Sequence, residues 1–315
     1  MSRHDLVEGS QKPDFRARLT ANLVVTAALL MVILTFGACG TGGPGGGGGG
    51  GSTTTSTPGG SIVHPTAKNE VVFQISEGGG FVPVEYNVTM LPQFSLYGDG
   101  RVVVSGPVIA IYPGPALPNL QTAIIPEEAI QAILSAAREA GLFDLAFDYG
   151  QPGITDVSTT TFVINAGGTL HRSDVYALGM ESGAGGLTME QQTARAALND
   201  LRSKLIDLSA YVSGEIAWEP YEYSALAVYS QAVDPSVTTD STDVMPGRLD
   251  WPLADLSTLG EEVPAGFRRT VVSGKDLATL QQKPPLEKAT AITLWKSGGH
   301  EYHLFFRPLL PDETP

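Results

Sequence analysis

The sequence predicts an α+β fold: antiparallel β-hairpins and sheets with two main helices in an N-terminal lobe, and a smaller, β-rich C-terminal lobe. Segments rich in β-branched and aromatic residues come in pairs around glycine turns, as β-hairpins do. Two longer segments carry apolar residues at helical spacing. The strands cluster instead of alternating one by one with helices, which argues against a doubly wound parallel sheet.

The first strands of the N-terminal lobe are predicted at residues 70–76 and 84–91, where β-branched and aromatic residues dominate. A hairpin follows, formed by residues 94–97 and 101–104. Gly98-Asp99-Gly100 lies between these segments, and glycine and aspartate tolerate the positive φ angles of a tight or bulged turn.

Two helices are predicted in the same lobe. Pro126 opens the first, with acidic residues in its first turn, and Gly141 ends it. Thr188 and Gln191 form a capping box that opens the second, which runs to about Leu208. The apolar positions in register on the two helices are Ile130, Ile133, Leu134 and Ala137, then Ala194, Ala197, Leu198, Leu201, Leu205 and Leu208.

Two further hairpins follow predicted helices. One covers residues 159–176 and turns at Gly167-Gly168; the other covers residues 289–307 and turns at residues 297–299. A helix followed by a hairpin therefore occurs twice, which leaves a decayed internal duplication open. Hairpins favour glycine turns in any case, and this preference explains the pattern without a duplication.

A change of composition near residues 213–214 divides the body into residues 69–213 and a smaller lobe, residues 214–315. Strands are predicted in this second lobe at residues 223–229 and 269–272, with a short helix after the latter. All three tryptophans lie in the second lobe: Trp218, Trp251 and Trp295. They predict a second small core; an exposed aromatic strip that binds a sugar or a protein is the alternative.

The charge balance excludes nucleic-acid binding. The chain has 19 basic residues against 33 acidic ones and a net charge of −14, so that it repels phosphate backbones. The same charge gives no attraction to anionic lipid, and any membrane attachment needs a covalent or apolar anchor. The chain has one cysteine, Cys39, which rules out an intramolecular disulfide and a cysteine-based zinc cluster.

The N-terminus has the order of a signal peptide. Arg16 and Arg18 form a short basic region, residues 19–36 are mostly apolar, and two small residues precede Cys39. An uncleaved transmembrane anchor and an ordinary signal peptide are the alternatives, although Asn22 weakens a membrane span.

Residues Phe36-Gly37-Ala38-Cys39 resemble the lipobox of a bacterial lipoprotein signal, apart from Phe36, where a smaller aliphatic residue is usual. The resemblance implies that residues 1–38 are removed and that Cys39 carries acyl chains, including a thioether-linked diacylglycerol. It also implies an extracytoplasmic protein anchored to the bacterial cell membrane, or to the outer membrane in a two-membrane envelope. Two or more acyl chains give stable anchoring, where one is marginal.

Residues 39–68 predict a tether between anchor and body. Glycine, serine, threonine and proline dominate this segment and cannot build a core. A flexible chain of about 26 such residues has a root-mean-square length of roughly 25–30 Å.

The body carries a second resemblance. The Leu96–Val102 segment, LYGDGRV, and the hairpin and helices after it resemble secreted bacterial domains with the same core motif, over residues 71–208. That family has no assigned activity, so the resemblance implies a fold neighbourhood and no catalytic residues.

Candidate chemical residues are few, because the sequence has no nucleophile elbow, zinc-protease, P-loop or dinucleotide-binding motif. Asp99, His171 and Asp174 are the candidate catalytic residues. Turn chemistry is the simpler explanation of Asp99, and His171 and Asp174 face apart if they lie on a strand. The candidate metal ligands share one polar loop, for which solvation is the simpler explanation: Asp234, Asp240 and Asp243. We expect no cofactor.

Two functions remain open. The first is a non-catalytic binding module, anchored by lipid, with an envelope protein or polymer as partner. The alternative is a membrane-tethered hydrolase whose acidic and histidine residues meet only in three dimensions. Convergence of two or more of five residues in one cavity would favour the hydrolase, and their dispersal on turns would favour the binding module. The five are Asp99, Asp156, His171, Asp174 and His303.

Overall fold

Two β-sheets and five α-helices make up the described part of the chain in a computed structural model. It describes residues 60–181, 185–234, 236, 244–282 and 285–314, all of which belong to one compact unit. Helices and largely antiparallel strands occupy separate stretches of the chain, and the C-terminal region is rich in strands. The predicted α+β fold is confirmed.

The first sheet has seven strands in the order β6-β5-β1-β2-β3-β4-β7, all antiparallel. Its strands are β1 (Val71–Gly78), β2 (Phe94–Tyr97), β3 (Arg101–Ser105), β4 (Leu120–Ile124), β5 (Thr159–Ala166), β6 (Thr169–Tyr176) and β7 (Glu219–Pro220). The helices of this part are α1 (Val84–Thr89), α2 (Glu127–Glu139) and α3 (Met189–Asp207).

The second sheet has six strands in the order β10-β11-β8-β13-β12-β9, in which β9 and β12 are parallel. Its strands are β8 (Ala225–Ala232), β9 (Arg248–Asp250), β10 (Glu261–Val263), β11 (Phe267–Ser273), β12 (Leu294–Ser297) and β13 (His300–Pro308). Two short helices accompany it, α4 (Gly274–Gln282) and α5 (Pro285–Lys288).

Local sequence signals set both main helices. Pro126 precedes α2, whose first turn is acidic and whose buried face is the predicted one. Thr188 Oγ1 accepts the Gln191 N–H at 3.2 Å, and the Gln191 side chain accepts the Thr188 N–H at 3.0 Å, which completes the capping box of α3. Leu208 ends α3 in the left-handed conformation.

The strand predicted at residues 84–91 is wrong, because residues 84–89 form α1. Pro83 fixes a φ of −53° at the start of this helix, and Glu85 lies in its first turn. The Thr89 hydroxyl donates to the Glu85 carbonyl at 2.7 Å. None of the six residues is buried, so the alternation of apolar and polar residues does not mark a sheet face here.

The two helix–hairpin units are joined to their sheets differently. In the first sheet the leading strand of the hairpin, β5, pairs with the central strand β1. In the second sheet the trailing strand, β13, pairs with the central strand β8. This difference gives no support to an internal duplication.

Each sheet has its own core. The larger one lies between the first sheet and helices α2 and α3. The second includes Trp251 and Trp295, whose rings meet edge to face at 5.9 Å, so the predicted second core is confirmed. Trp218 packs against the first core instead.

The C-terminal tail crosses to the first sheet. The Tyr97 hydroxyl donates to Asp312 at 2.6 Å, and the Tyr221 hydroxyl donates to the Leu309 carbonyl at 3.0 Å. Burial and the Asp312 hydrogen bond raise the pKa of Tyr97, and burial raises the pKa of Tyr221 to about 12, so both hydroxyls stay protonated donors. The domain boundary near residues 213–214 stays a prediction. Strand β7 lies after this boundary in the chain and pairs with β4 of the first sheet.

Gly98 is required by a close approach of the chain. A Cβ at this position would lie 2.6 Å from the Ala67 carbonyl oxygen and 2.7 Å from that of Pro65, both backbone atoms. We expect Gly98→Ala to lower the free energy of unfolding by roughly 1–3 kcal/mol, since the segment must shift to make room. Chemical denaturation measures the change.

Gly78→Ala is the matched control. No atom lies within 4 Å of its Cβ position, and its φ is not in the left-handed region. A Gly98→Ala variant as stable as Gly78→Ala would contradict the close packing of residues 65–67 over this turn.

Candidate functional site

Asp99 serves the turn on which it lies. Its carboxylate accepts the Arg101 N–H at 3.1 Å and forms an ion pair with the Arg101 guanidinium at 3.3 Å. This is the aspartate-turn chemistry that stabilises tight hairpins. A function of Asp99 beyond this turn stays a prediction.

His171 and Asp174 lie on opposite faces of β6. His171 is buried, and its ring packs against Phe143 with centroids 4.6 Å apart. Asp174 is exposed and binds Arg172 at 2.9 Å and Thr161 at 2.6 Å. The structure therefore brings His171 to the helix-covered side of the sheet and leaves Asp174 on the other, as strand alternation dictates.

The predicted metal ligands are described only in part. Asp234 accepts the backbone N–H of Ser236 at 2.8 Å and its hydroxyl at 2.6 Å, which is again local turn chemistry. Asp240 and Asp243 lie outside the described residues. Among the residues that are described, no group of three or more potential ligands could hold a metal ion.

The five residues whose convergence would favour a hydrolase lie apart. Asp99 and His171 belong to separate parts of the first sheet, and His303 lies on β13 of the second sheet. Burial lowers the pKa of His303, so its ring is neutral near pH 7. None of the five lines any of four cavities that the described residues form.

A cavity of about 470 Å³ lies between the C-terminal end of α2, the loop of residues 141–149 and the N-terminal end of α3. We call it the α2–α3 cavity. Its lining residues are Glu139, Ala140, Gly141, Asp144, Phe147, Tyr149, Met189, Glu190, Thr193, Ala194 and Ala197.

Small side chains leave this space open. Ala194 and Ala197 lie on the side of α3 that faces the cavity and are only half-buried. Opposite them, α2 ends at Ala140 and Gly141, where Gly141 adopts a φ of +89° and turns the chain away. Larger residues at these positions would fill the gap between the helices.

Three carboxylates surround the cavity: Glu139, Asp144 and Glu190. Asp144 accepts the Ala146 N–H at 3.0 Å. Among the described residues, none of the three carboxylates forms an ion pair, and no basic side chain lines the cavity. All three are exposed, and the charged side chains that line the cavity are therefore all acidic.

Two aromatic rings form one wall. Phe147 and Tyr149 meet edge to face with centroids 4.9 Å apart. Tyr149 is 6% exposed, and its hydroxyl makes no hydrogen bond of ordinary geometry to a described residue, although Ser173 is nearby. Burial raises the pKa of Tyr149, which keeps the hydroxyl protonated.

Arg195 holds the inner side of the cavity in place. Its side chain is fully buried and donates to the Tyr149 carbonyl at 3.2 Å, the Tyr176 carbonyl at 2.6 Å and the Glu181 carboxylate at 3.1 Å. One guanidinium thus joins α3 to the loop of residues 141–149, to the end of β6 and to the segment after it.

Arg195 is not among the candidate residues predicted from the sequence. A signal was present, because Arg195 lies three residues before Leu198 on the buried face of α3. A charged residue in register with an apolar stripe indicates a buried ion pair or a site. The sequence has no comparable signal for the α2–α3 cavity. Ala194 and Ala197 fit the apolar face of the predicted helix, and their small size alone does not predict a gap beside it.

A second feature lies at one end of the first sheet. Large apolar residues are exposed in the segment after β1 and in the loop between β3 and β4: Phe81, Val82, Val84 and Tyr86, then Val108, Ile109, Ile111 and Tyr112. We call these the distal apolar surface. The first segment adjoins the base of this loop, because Val82 and Tyr86 share one cavity with Ser105 and Pro118.

Comparisons with known proteins gave no match: no protein-family model, curated protein or solved structure is significantly similar to the chain. In the part of the chain that the structure describes, no helix has the length and apolar character to cross a membrane. The apolar residues 19–36 and Cys39 lie outside the described residues, so the lipoprotein signal stays a prediction.

Loss of Arg195 should destabilise the body. We expect Arg195→Met to lower the free energy of unfolding by roughly 3–5 kcal/mol, because the Glu181 carboxylate and two carbonyls lose their partner in a buried site. Urea denaturation of the chain measures this loss.

Arg172→Met is the control. This arginine pairs with Asp174 on the exposed face of the first sheet, and the two side chains are 59% and 49% exposed. Its loss should lower the free energy of unfolding by less than about 1 kcal/mol. Equal stability of the two variants would show that the Arg195 contacts do not support the fold.

Proposed function

We propose that this protein is a lipid-anchored extracytoplasmic binding module of the bacterial envelope, held by acyl chains on Cys39. Its partner is an envelope protein that docks on the distal apolar surface. The dispersal of the candidate catalytic residues supports binding over the alternative, a tethered hydrolase, since hydrolysis needs a nucleophile or water and its base within hydrogen-bond reach.

The chain enters the body at one end of the first sheet. The Gly167 N–H donates to the Val63 carbonyl at 2.7 Å, and Ile62 exchanges two hydrogen bonds with the Gln131 side chain at 2.7 and 3.0 Å. The register places the turn after β5 and the turn after β2 at the N-terminal end of β1. The tether therefore joins the body at this end.

The distal apolar surface lies at the opposite end. Its first segment follows the C-terminal end of β1, and its second follows the C-terminal end of β3, which pairs with the start of β4. Because β2 is antiparallel to both β1 and β3, these two ends lie at the same end of the sheet. An anchor at Cys39 would then hold the entry end towards the membrane and present the distal apolar surface away from it.

The composition of this surface favours a protein partner. Phe81 is 91% exposed, Val108 is 74% exposed and Tyr112 is 69% exposed. Clustered apolar and aromatic side chains on a monomer mark interaction sites, and aromatic residues are enriched at the centres of protein interfaces. This exposed surface is the observation that carries the proposal.

Replacing the lipidated cysteine tests the anchor. In a bacterial host that lipidates, Cys39→Ala should move the protein from the membrane fraction to the soluble fraction, since no acyl chain can then attach. Quantitative immunoblotting of the two fractions measures the shift. A variant as strongly membrane-bound as wild type would mean that residues 19–36 act as a span.

Polar substitution on the distal surface tests the partner. We expect the double variant Ile109→Ser, Ile111→Ser to lose most of the protein complexes that chemical cross-linking captures on intact cells, because apolar burial drives such contacts. Leu170→Ser, which is 63% exposed on β6 near the entry end, is the matched control and should keep them. Complexes that survive in the double variant would rule out this surface.

A further inference from the structure

We propose that the α2–α3 cavity binds a small organic cation: an ammonium group attached to an aromatic or branched apolar body. This goes beyond the proposed docking role, because the cavity shares no residue with the distal apolar surface or with the anchor. Its ligand is identified by the size, apolar lining and charge of the cavity, and by one buried hydroxyl that lacks a hydrogen bond of ordinary geometry.

The size and lining suit a small molecule with an apolar body. A volume of about 470 Å³ lies within the range of ligand pockets, roughly 300–1,000 Å³. Ala194, Ala197 and Phe147 give it an apolar interior, and a few charged groups lie around that interior. Sites of this kind bury the apolar part of a ligand and orient it through its polar end.

The charge selects a cation. Glu139, Asp144 and Glu190 would repel an anionic ligand and attract an ammonium group, and no described basic residue of the lining offsets them. The α2 helix ends at the cavity, so its negative dipole end adds to the attraction. The positive end of α3 also points here, but Glu190 lies in its first turn, and the capping box occupies two of its N–H groups, those of Thr188 and Gln191.

Two further groups fit an ammonium ion. The rings of Phe147 and Tyr149 offer the aromatic contacts that bind ammonium groups in other proteins. The buried Tyr149 hydroxyl, without a hydrogen bond of ordinary geometry, lies 3.9 Å from the place of a Cβ on Gly141, which is itself a lining residue. Its oxygen has a lone pair to accept an ammonium N–H. A buried hydroxyl without a well-formed hydrogen bond costs stability, and a ligand would supply that bond.

A matched series of indole compounds tests the charge preference. Tryptamine carries an ammonium group, tryptophol a hydroxyl and indoleacetate a carboxylate on similar apolar bodies. Calorimetry on the full chain, purified from membranes, should show tryptamine binding at least about tenfold more tightly than tryptophol, and indoleacetate binding more weakly than either.

Variants test the location. Glu139→Gln combined with Glu190→Gln keeps the shape of the cavity and should reduce the preference for tryptamine over tryptophol to about twofold. Ala197→Phe should abolish binding of both compounds by filling the cavity. Glu128→Gln, on the exposed first turn of α2 at the far end of the helix, should behave as wild type.

Three results would overturn the proposal. They are equal or undetectable binding of the three compounds to wild type, an undiminished preference in the double glutamine variant, and undiminished binding to Ala197→Phe. The glutamine variant is isosteric, so its result decides the matter even if Ala197→Phe fails to fold. None of these results bears on the anchor or on the distal apolar surface, whose tests use other residues and other measurements.

Discussion

The buried guanidinium of Arg195 is the constraint around which the N-terminal lobe is organised. A fully buried charge is tolerated only when its donors are satisfied. Three separate segments must therefore supply oxygen atoms at 2.6–3.2 Å: the loop before β5, the end of β6 and Glu181. Because these partners converge on one residue of α3, the position of the loop of residues 141–149 is fixed. That loop carries Phe147 and Tyr149, so the same contacts that stabilise the lobe shape the α2–α3 cavity.

Selection for stability alone would not produce the α2–α3 cavity. Closely packed helices normally fill the space between them, and unpaired carboxylates of like charge repel each other. Here Ala194 and Ala197 face Ala140 and Gly141 across a gap, and three carboxylates surround it without a described basic partner. Departures from local rules concentrate at functional sites, where a ligand supplies what the fold lacks. An ammonium group with an apolar body would neutralise the carboxylates and fill the gap at once.

Short-range chemistry explains which features the sequence could predict. The turns at Gly98-Asp99-Gly100 and Gly167-Gly168 and the capping box of α3 depend on neighbours in the chain, and all were predictable. Helix α1 was not, because the six residues after Pro83, none of them buried, carry no period that separates helix from strand. The partners of Arg195 were also out of reach, since Tyr149 and Arg195 are 46 residues apart and meet only in the fold. The placement of His171 and Asp174 on opposite faces of β6 was predictable, because it depends only on the alternation of side chains along a strand.

Residues of the C-terminal region hold both segments of the distal apolar surface in place. Arg307 on β13 donates to the Met90 carbonyl just after α1 at 3.0 Å, while Glu313 accepts two hydrogen bonds from the same guanidinium at 2.7 and 2.8 Å. In the loop between β3 and β4, the Ala116 N–H donates to the Ala289 carbonyl at 3.1 Å, and Gly114 accepts from Ala291 at 2.9 Å. Exposed apolar loops without such supports would collapse onto the nearest core. The second sheet therefore fixes α1 and this loop from one side, which keeps their apolar side chains outward and available to a partner.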